Sequence, residues 1–183
     1  EWSDALGLDE RIDDLAVLDE HKGRDVAHVE LFLDAGIFVE VAACEDELVG
    51  VLLGKLPEEA YTAHQVCLDI QEKIASIARP GIACEVLYDT AVEVVKAAGF
   101  ADKFMGTGQQ AKFIGHGIGL EINEAPVLAP RIKQQLEPGM VFALEPKIVL
   151  PGVGPVGIEN SWVVTNEGIE KLTNCREEII ELS

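Results

Sequence analysis

Apolar positions along the chain follow two different periods, and the switch between them outlines its elements. Val29-Glu30-Leu31-Phe32-Leu33-Asp34-Ala35-Gly36 predicts a strand that closes on Asp-x-Gly, and Leu48 to Lys55 a second strand ending in a turn. From Pro57 onward, Tyr61, His64, Cys67, Leu68, Ile74 and Ile77 recur at helical spacing until Arg79-Pro80-Gly81 stops them. A proline in a first helical turn forfeits no hydrogen bond, because the N–H it lacks would have no partner there. A second helix begins near Cys84, with Leu87, Ala91, Val94, Val95 and Ala98 on one face and Gly99 as its C-terminal stop. Beyond Gly99 the texture changes. Residues 104–120 are rich in glycine, while Met140–Leu150 and Val156–Thr165 read as β-rich runs joined by Pro151-Gly152-Val153-Gly154-Pro155. Glu177 to Leu182 form a short apolar tail. Residues 1–28 are an acidic N-terminal segment of unassigned structure, and residues 29–183 are expected to form one domain. Two helices between two sets of β pairs predict an α+β fold rather than alternating βαβ units.

Composition narrows the function classes. Of 183 residues, 33 are acidic and 14 basic, giving a formal charge of −19. Such a field repels nucleic acid and anionic membrane surfaces, so neither is expected as a partner. No apolar run approaches the roughly 18 residues of a membrane span, and Glu1-Trp2-Ser3-Asp4 does not open a signal peptide. Cys44, Cys67, Cys84 and Cys175 are scattered without a Cys-x-x-Cys pair, which disfavours a zinc–thiolate site and suits a reducing, cytoplasmic setting. Cys67 and Cys84 occupy helical positions appropriate to small buried hydrophobes.

Some carboxylates fall inside apolar runs, and these carry the candidate chemistry. Glu145 lies in Val141-Phe142-Ala143-Leu144-Glu145-Pro146 and Glu159 in Val156-Gly157-Ile158-Glu159-Asn160. A hairpin about the Pro-Gly loop is centred near residue 152, which makes positions 145 and 159 cross-strand neighbours roughly 5 Å apart at Cβ. Two buried carboxylates facing one another repel. A shared cation, protonation of one of them, or pairing with Lys147 or Arg131 each relieves the repulsion. Asp34 and Asp46 bracket a second candidate hairpin, centred near residue 40, and would likewise face each other. Two carboxylate pairs plus one imidazole form a donor set suited to two divalent ions. The imidazole is His116, framed by glycines in Phe113-Ile114-Gly115-His116-Gly117-Ile118-Gly119-Leu120.

The string Gly115-His116-Gly117-Ile118-Gly119-Leu120-Glu121-Ile122-Asn123-Glu124-Ala125-Pro126 resembles the histidine motif of the pita-bread metallopeptidases. Leu136 to Pro146 is similar to their first glutamate motif, and Gly157-Ile158-Glu159-Asn160 through Thr165 to their second. The likeness runs over roughly residues 55 to 174, and its Leu-Glu-Pro and Gly-Ile-Glu-Asn forms are nearest to Xaa-Pro dipeptidases and aminopeptidases. It implies a curved antiparallel sheet with helices on its outer face, much of the usual N-terminal half being absent. It also implies metal ligation by Asp34, Asp46, His116, Glu145 and Glu159, with two divalent ions (Mn2+, Co2+ or Zn2+) as cofactors. The substrates implied are short proline-containing peptides, and a homodimer is one assembly open to such a domain. In that chemistry divalent ions acidify the attacking water, and Glu145 takes its proton and passes it to the leaving amine. Three positions depart from the family pattern. The Asp34–Asp46 gap is one residue longer, Leu48-Val49 replaces Thr-Arg, and Asn123 replaces a second, substrate-binding histidine. An amide donates a hydrogen bond but shuttles no proton. The departures favour an alternative reading, a catalytically degenerate domain that binds peptides or proteins.

Overall fold

In a computed structural model of the chain, the described residues are 27–32, 38–43, 51–53 and 56–182, with side chains described from Leu56 to Ile179. The N-terminal segment through Val26, Asp34 and Asp46 lie outside them. Elements run in the order β1 (Ala27–Phe32), β2 (Phe38–Ala43), β3 (Val51–Leu53), α1 (Glu58–Ile77) and α2 (Cys84–Ala97). They continue as β4 (Gly115–Gly117), β5 (Glu124–Val127), β6 (Val141–Leu144), β7 (Lys147–Leu150), β8 (Gly154–Gly157), β9 (Asn160–Val164), β10 (Ile169–Lys171) and β11 (Ile180–Leu182).

Helix α1 starts directly after Pro57, with Glu58 and Glu59 in its first turn, where the helix dipole favours acidic groups. Its buried stripe is Ala60, Ala63, Val66, Cys67, Ile70, Gln71 and Ile74. Of the face expected from the sequence, Cys67 and Ile74 are buried, while Tyr61, His64, Leu68 and Ile77 prove half-buried. Small alanines on the true face account for the offset: they let the helix approach the sheet closely but add little to an apolar pattern. Helix α2 buries Cys84 and, from the face its periodicity predicts, Leu87, Ala91 and Val95; Val94 is half-buried, and Ala98 is exposed at the C-cap. It ends where Gly99 takes φ +82° and Phe100 N–H donates to the Val95 carbonyl at 3.0 Å. Cys67 and Cys84 are buried free thiols. Burial pushes both thiols up, away from reactivity.

Ile70, Ile74 and Leu87 share one core with Phe142, Leu144 and Ile148 of the sheets. Truncating Ile74 to alanine costs about 2–5 kcal/mol. No described helix is long and apolar enough to cross a membrane.

A five-stranded antiparallel sheet has the order β10-β9-β6-β4-β5, and β7 pairs with β8 as a separate ribbon. The remaining strands form a sheet ordered β1-β2-β3-β11, in which β11 runs parallel to β3. The predicted tail is therefore a strand in part. Two expectations about the N-terminal strands are corrected. Phe38–Ala43, placed at the tip of a hairpin, is itself a strand. Its pairing with β1 joins Phe32 to Phe38 and Ala27 to Ala43, which centres the hairpin on residue 35 instead of 40. Positions 34 and 46, expected to face each other, are not symmetric about that centre.

Candidate metal centre

The hairpin expected around residue 152 has the predicted register. Lys147 pairs with Gly157 and Leu150 with Gly154 in the β7–β8 ribbon, while Leu144 pairs with Asn160 and Val141 with Val163 between β6 and β9. Both ladders obey one register, and the break between them falls on Glu145-Pro146 and Ile158-Glu159. Glu145 and Glu159 are therefore opposite one another at the point where the ladder opens. Pro146 stands opposite Ile158 and has no N–H to give, which is why the ladder stops here. The Glu145 N–H turns to the Ile114 carbonyl, 2.8 Å away, which ties this glutamate to the approach of β4.

His116 reaches the same place from β4, paired with Ala143 on one side and Val127 on the other. Its glycine frame is a packing requirement. A Cβ on Gly115 would press into the Ala143 carbonyl, and one on Gly117 into the Ala125–Pro126 peptide. Neighbouring backbones thus close on both sides of the imidazole and leave it 8% exposed. Its Nε2 lies 3.5 Å from Glu145 Oε1, and the other oxygen of that carboxylate accepts from Lys147 Nζ at 2.6 Å. Pairing with Lys147, one of the open remedies for a buried Glu145, is realised. Arg131 is exposed with φ +67°, and no ion pair links it to either glutamate.

The geometry suits a cation. Two ligands on one ion, with bonds of roughly 2.0–2.2 Å and a tetrahedral angle, stand roughly 3.3–3.6 Å apart. His116 Nε2 and Glu145 Oε1 have that separation. The pull of Glu145 on the Lys147 ammonium shows the site's appetite for positive charge. Glu159, half-buried, supplies a further carboxylate in register. Among the described residues no group of three or more His, Cys, Asp or Glu side chains is gathered tightly enough to hold an ion. His116 and Glu145 are brought together, Glu159 stands opposite Glu145 in the register, and Asp34 and Asp46 lie outside the described residues. Asn123 is solvent-exposed, just before β5 and beyond the last β4–β5 pair, Gly117 with Glu124.

Sequence reasoning missed Gln71. This buried residue of α1 donates from Nε2 to the carbonyls of Leu144 (2.6 Å) and Ile158 (3.3 Å), and its Oε1 accepts from Trp162 Nε1 at 3.0 Å. The available signal was an amide inside an apolar helical stripe. Asn160, next to Glu159 and also buried, donates to Glu177 Oε1 at 2.7 Å, and Lys171 binds the same oxygen at 2.9 Å. That contact ties the second glutamate motif to the segment after β10.

Residues 25–166 match the profile of Metallopeptidase family M24. The chain belongs to this family. It is 31% identical over 130 residues to a Xaa-Pro dipeptidase from Pyrococcus furiosus, covering 71% of this chain and 36% of that protein. An uncharacterized peptidase of Bacillus subtilis is 31% identical over 150 residues, 82% of this chain and 40% of the relative. Among solved structures, the X-Pro aminopeptidase from Thermotoga maritima superposes with a TM-score of 0.67 at 26% identity, covering 90% of this chain and 46% of that one. The fold is thus the α+β pita-bread fold of the M24 family, and the chain spans between a third and a half of these relatives' lengths. The family is one of peptide hydrolases that work with dinuclear metal sites.

Proposed function

We propose that residues 29–183 are the catalytic part of a metal-dependent Xaa-Pro peptidase, a dipeptidase or aminopeptidase, acting on short peptides with proline in second place. The observation that carries this reading is the shared register that sets Glu145 opposite Glu159 at the ladder break, with His116 Nε2 3.5 Å from Glu145. The named relatives, which include a Xaa-Pro dipeptidase and an X-Pro aminopeptidase, support the substrate class. His116, Glu145 and Glu159 would hold the divalent ions, with Asp34 and Asp46 completing the set by motif resemblance.

When bound, the ions lower the pKa of water and polarise the scissile carbonyl. The chain's own part is to keep that water's surroundings dry and to move its proton. Glu145, buried against the sheet, accepts the proton on a carboxylate oxygen and returns it to the prolyl nitrogen as the bond breaks. Lys147 holds Glu145 Oε2 and leaves Oε1 directed at His116. The exposed Asn123 donates a hydrogen bond to the peptide but takes no proton.

The test is elemental analysis of the purified chain, followed by Ala-Pro and Xaa-Pro-Yaa cleavage with added Mn2+ or Co2+. Two bound ions with turnover support the reading; a chain that stays metal-free after reconstitution contradicts it. The second reading, a peptide-binding domain without turnover, is favoured by Asn123 and by the ammonium on Glu145. It predicts peptide binding that is indifferent to chelators.

A further inference from the structure

Among the described residues, the buried polar side chains are Gln71, His116, Glu145 and Asn160. The last three belong to the sheet motifs themselves; Gln71 comes from a helix far away in sequence. We propose that Gln71 is a positioning residue for the two glutamates: its amide group clamps the backbone immediately before each of them and so fixes their spacing across the broken ladder. The inference rests on the metal-site reading above.

The hydrogen bonds allow one orientation of the amide. The Trp162 indole is a donor only, so it must meet Gln71 Oε1, while the Leu144 and Ile158 carbonyls are acceptors only and must meet Nε2. All groups of the amide facing the sheet are thereby used. Leu144 precedes Glu145, and Ile158 precedes Glu159. Opposite Ile158 the chain has Pro146, whose missing N–H leaves that carbonyl without a donor from its own ladder. Gln71 supplies one. A ladder that breaks to release two carboxylates loses the bonds that would hold its strands at a set separation, and one helix side chain restores the link at the break. Its helix is anchored on both sides by Cys67, Ile70 and Ile74, all fully buried, so the amide is a rigid reference point.

The test uses the full chain with Gln71→Met, which removes the donors and the acceptor. It also uses Gln71→Glu at pH 8, which keeps the acceptor for Trp162 and removes the two donors. Ile74→Ala, one turn away on the same buried face, serves as a control for general loosening. On metal-free protein, hydrogen exchange in segments 141–147 and 158–160 should quicken at least tenfold in each Gln71 variant relative to Ile74→Ala at equal distance below Tm. In a Co2+ titration both variants should bind at least tenfold more weakly than the unaltered chain, with shifted visible bands, while Ile74→Ala stays within twofold. Gln71 variants that behave like Ile74→Ala in both measurements overturn the proposal. The two substitutions are read independently, so failure of one to fold leaves the other to decide. If the unaltered chain binds no Co2+, the metal-site reading fails, and the exchange comparison alone decides whether Gln71 fixes the two strands.

Discussion

Two antiparallel hairpins of this fold each set one glutamate opposite another, with opposite consequences. In β1–β2, Glu30 pairs with Glu40 in the middle of an unbroken ladder. In the hairpin about residue 152, Glu145 and Glu159 meet where Pro146 interrupts the ladder, an imidazole arrives from β4 and a helix amide holds the strands. Glutamates paired in register are therefore not in themselves a site. What makes the second pair a candidate centre is the opened backbone, the restricted exposure and the converging His116.

Substitutions can break this comparison at either end. The largest effect is expected from Glu145→Gln, which keeps size but removes the charge and the proton acceptor. Xaa-Pro hydrolysis should fall by about 10²–10⁴-fold in steady-state assays, with secondary structure unchanged by circular dichroism. Equal loss from Glu30→Gln would erase the distinction between the hairpins. Next comes Gly115→Ala, whose methyl would press into the Ala143 carbonyl. Chemical denaturation should show a loss of about 1–3 kcal/mol, and His116 should be displaced with its strand.

A smaller effect concerns His64, half-buried on α1. Burial lowers its pKa below the ordinary 6.5, with Glu177 opposing the shift. The unfolded chain then takes up this proton before the folded one does. Above pH 6.5 the residue has no effect, and as pH falls below 6.5 stability declines until the folded form is protonated as well. Urea midpoints measured between pH 8 and pH 5.5 should decline less steeply in His64→Gln. An unchanged slope would remove His64 from the acid sensitivity of the fold. Least of all, Glu30→Gln should leave hydrolysis unaltered in the same steady-state assay.

How far these hairpins were legible in the sequence differs for a physical reason. Pro151-Gly152 is a strong turn signal between two long β-rich runs, so the register about residue 152 could be counted outward to Glu145 and Glu159. The glycine-framed His116 was legible because close-packed backbones demand glycine at both neighbours. In the N-terminal strands the centre was placed to make Asp34 and Asp46 symmetric. The pairing of Phe32 with Phe38 places the centre elsewhere. Short strands such as β4 and β10 span three residues each, too few for a period to show. The Lys147–Glu145 pair was among the remedies open in the sequence, whereas Gln71 acts through contacts that depend on how a helix meets the sheet and where the ladder breaks. No local pattern encodes the Gln71 contacts, although the polar residue in the α1 stripe marked a place to look.

On the proposed reading, Glu145 and Glu159 belong to one metal centre. Electron paramagnetic resonance of the chain reconstituted with Mn2+ tests this most directly, beside the same measurement on Glu159→Gln. An exchange-coupled signal from paired ions is expected in the unaltered chain, replaced in the variant by the hyperfine pattern of an isolated ion. A spectrum of free or isolated Mn2+ in both proteins would contradict it.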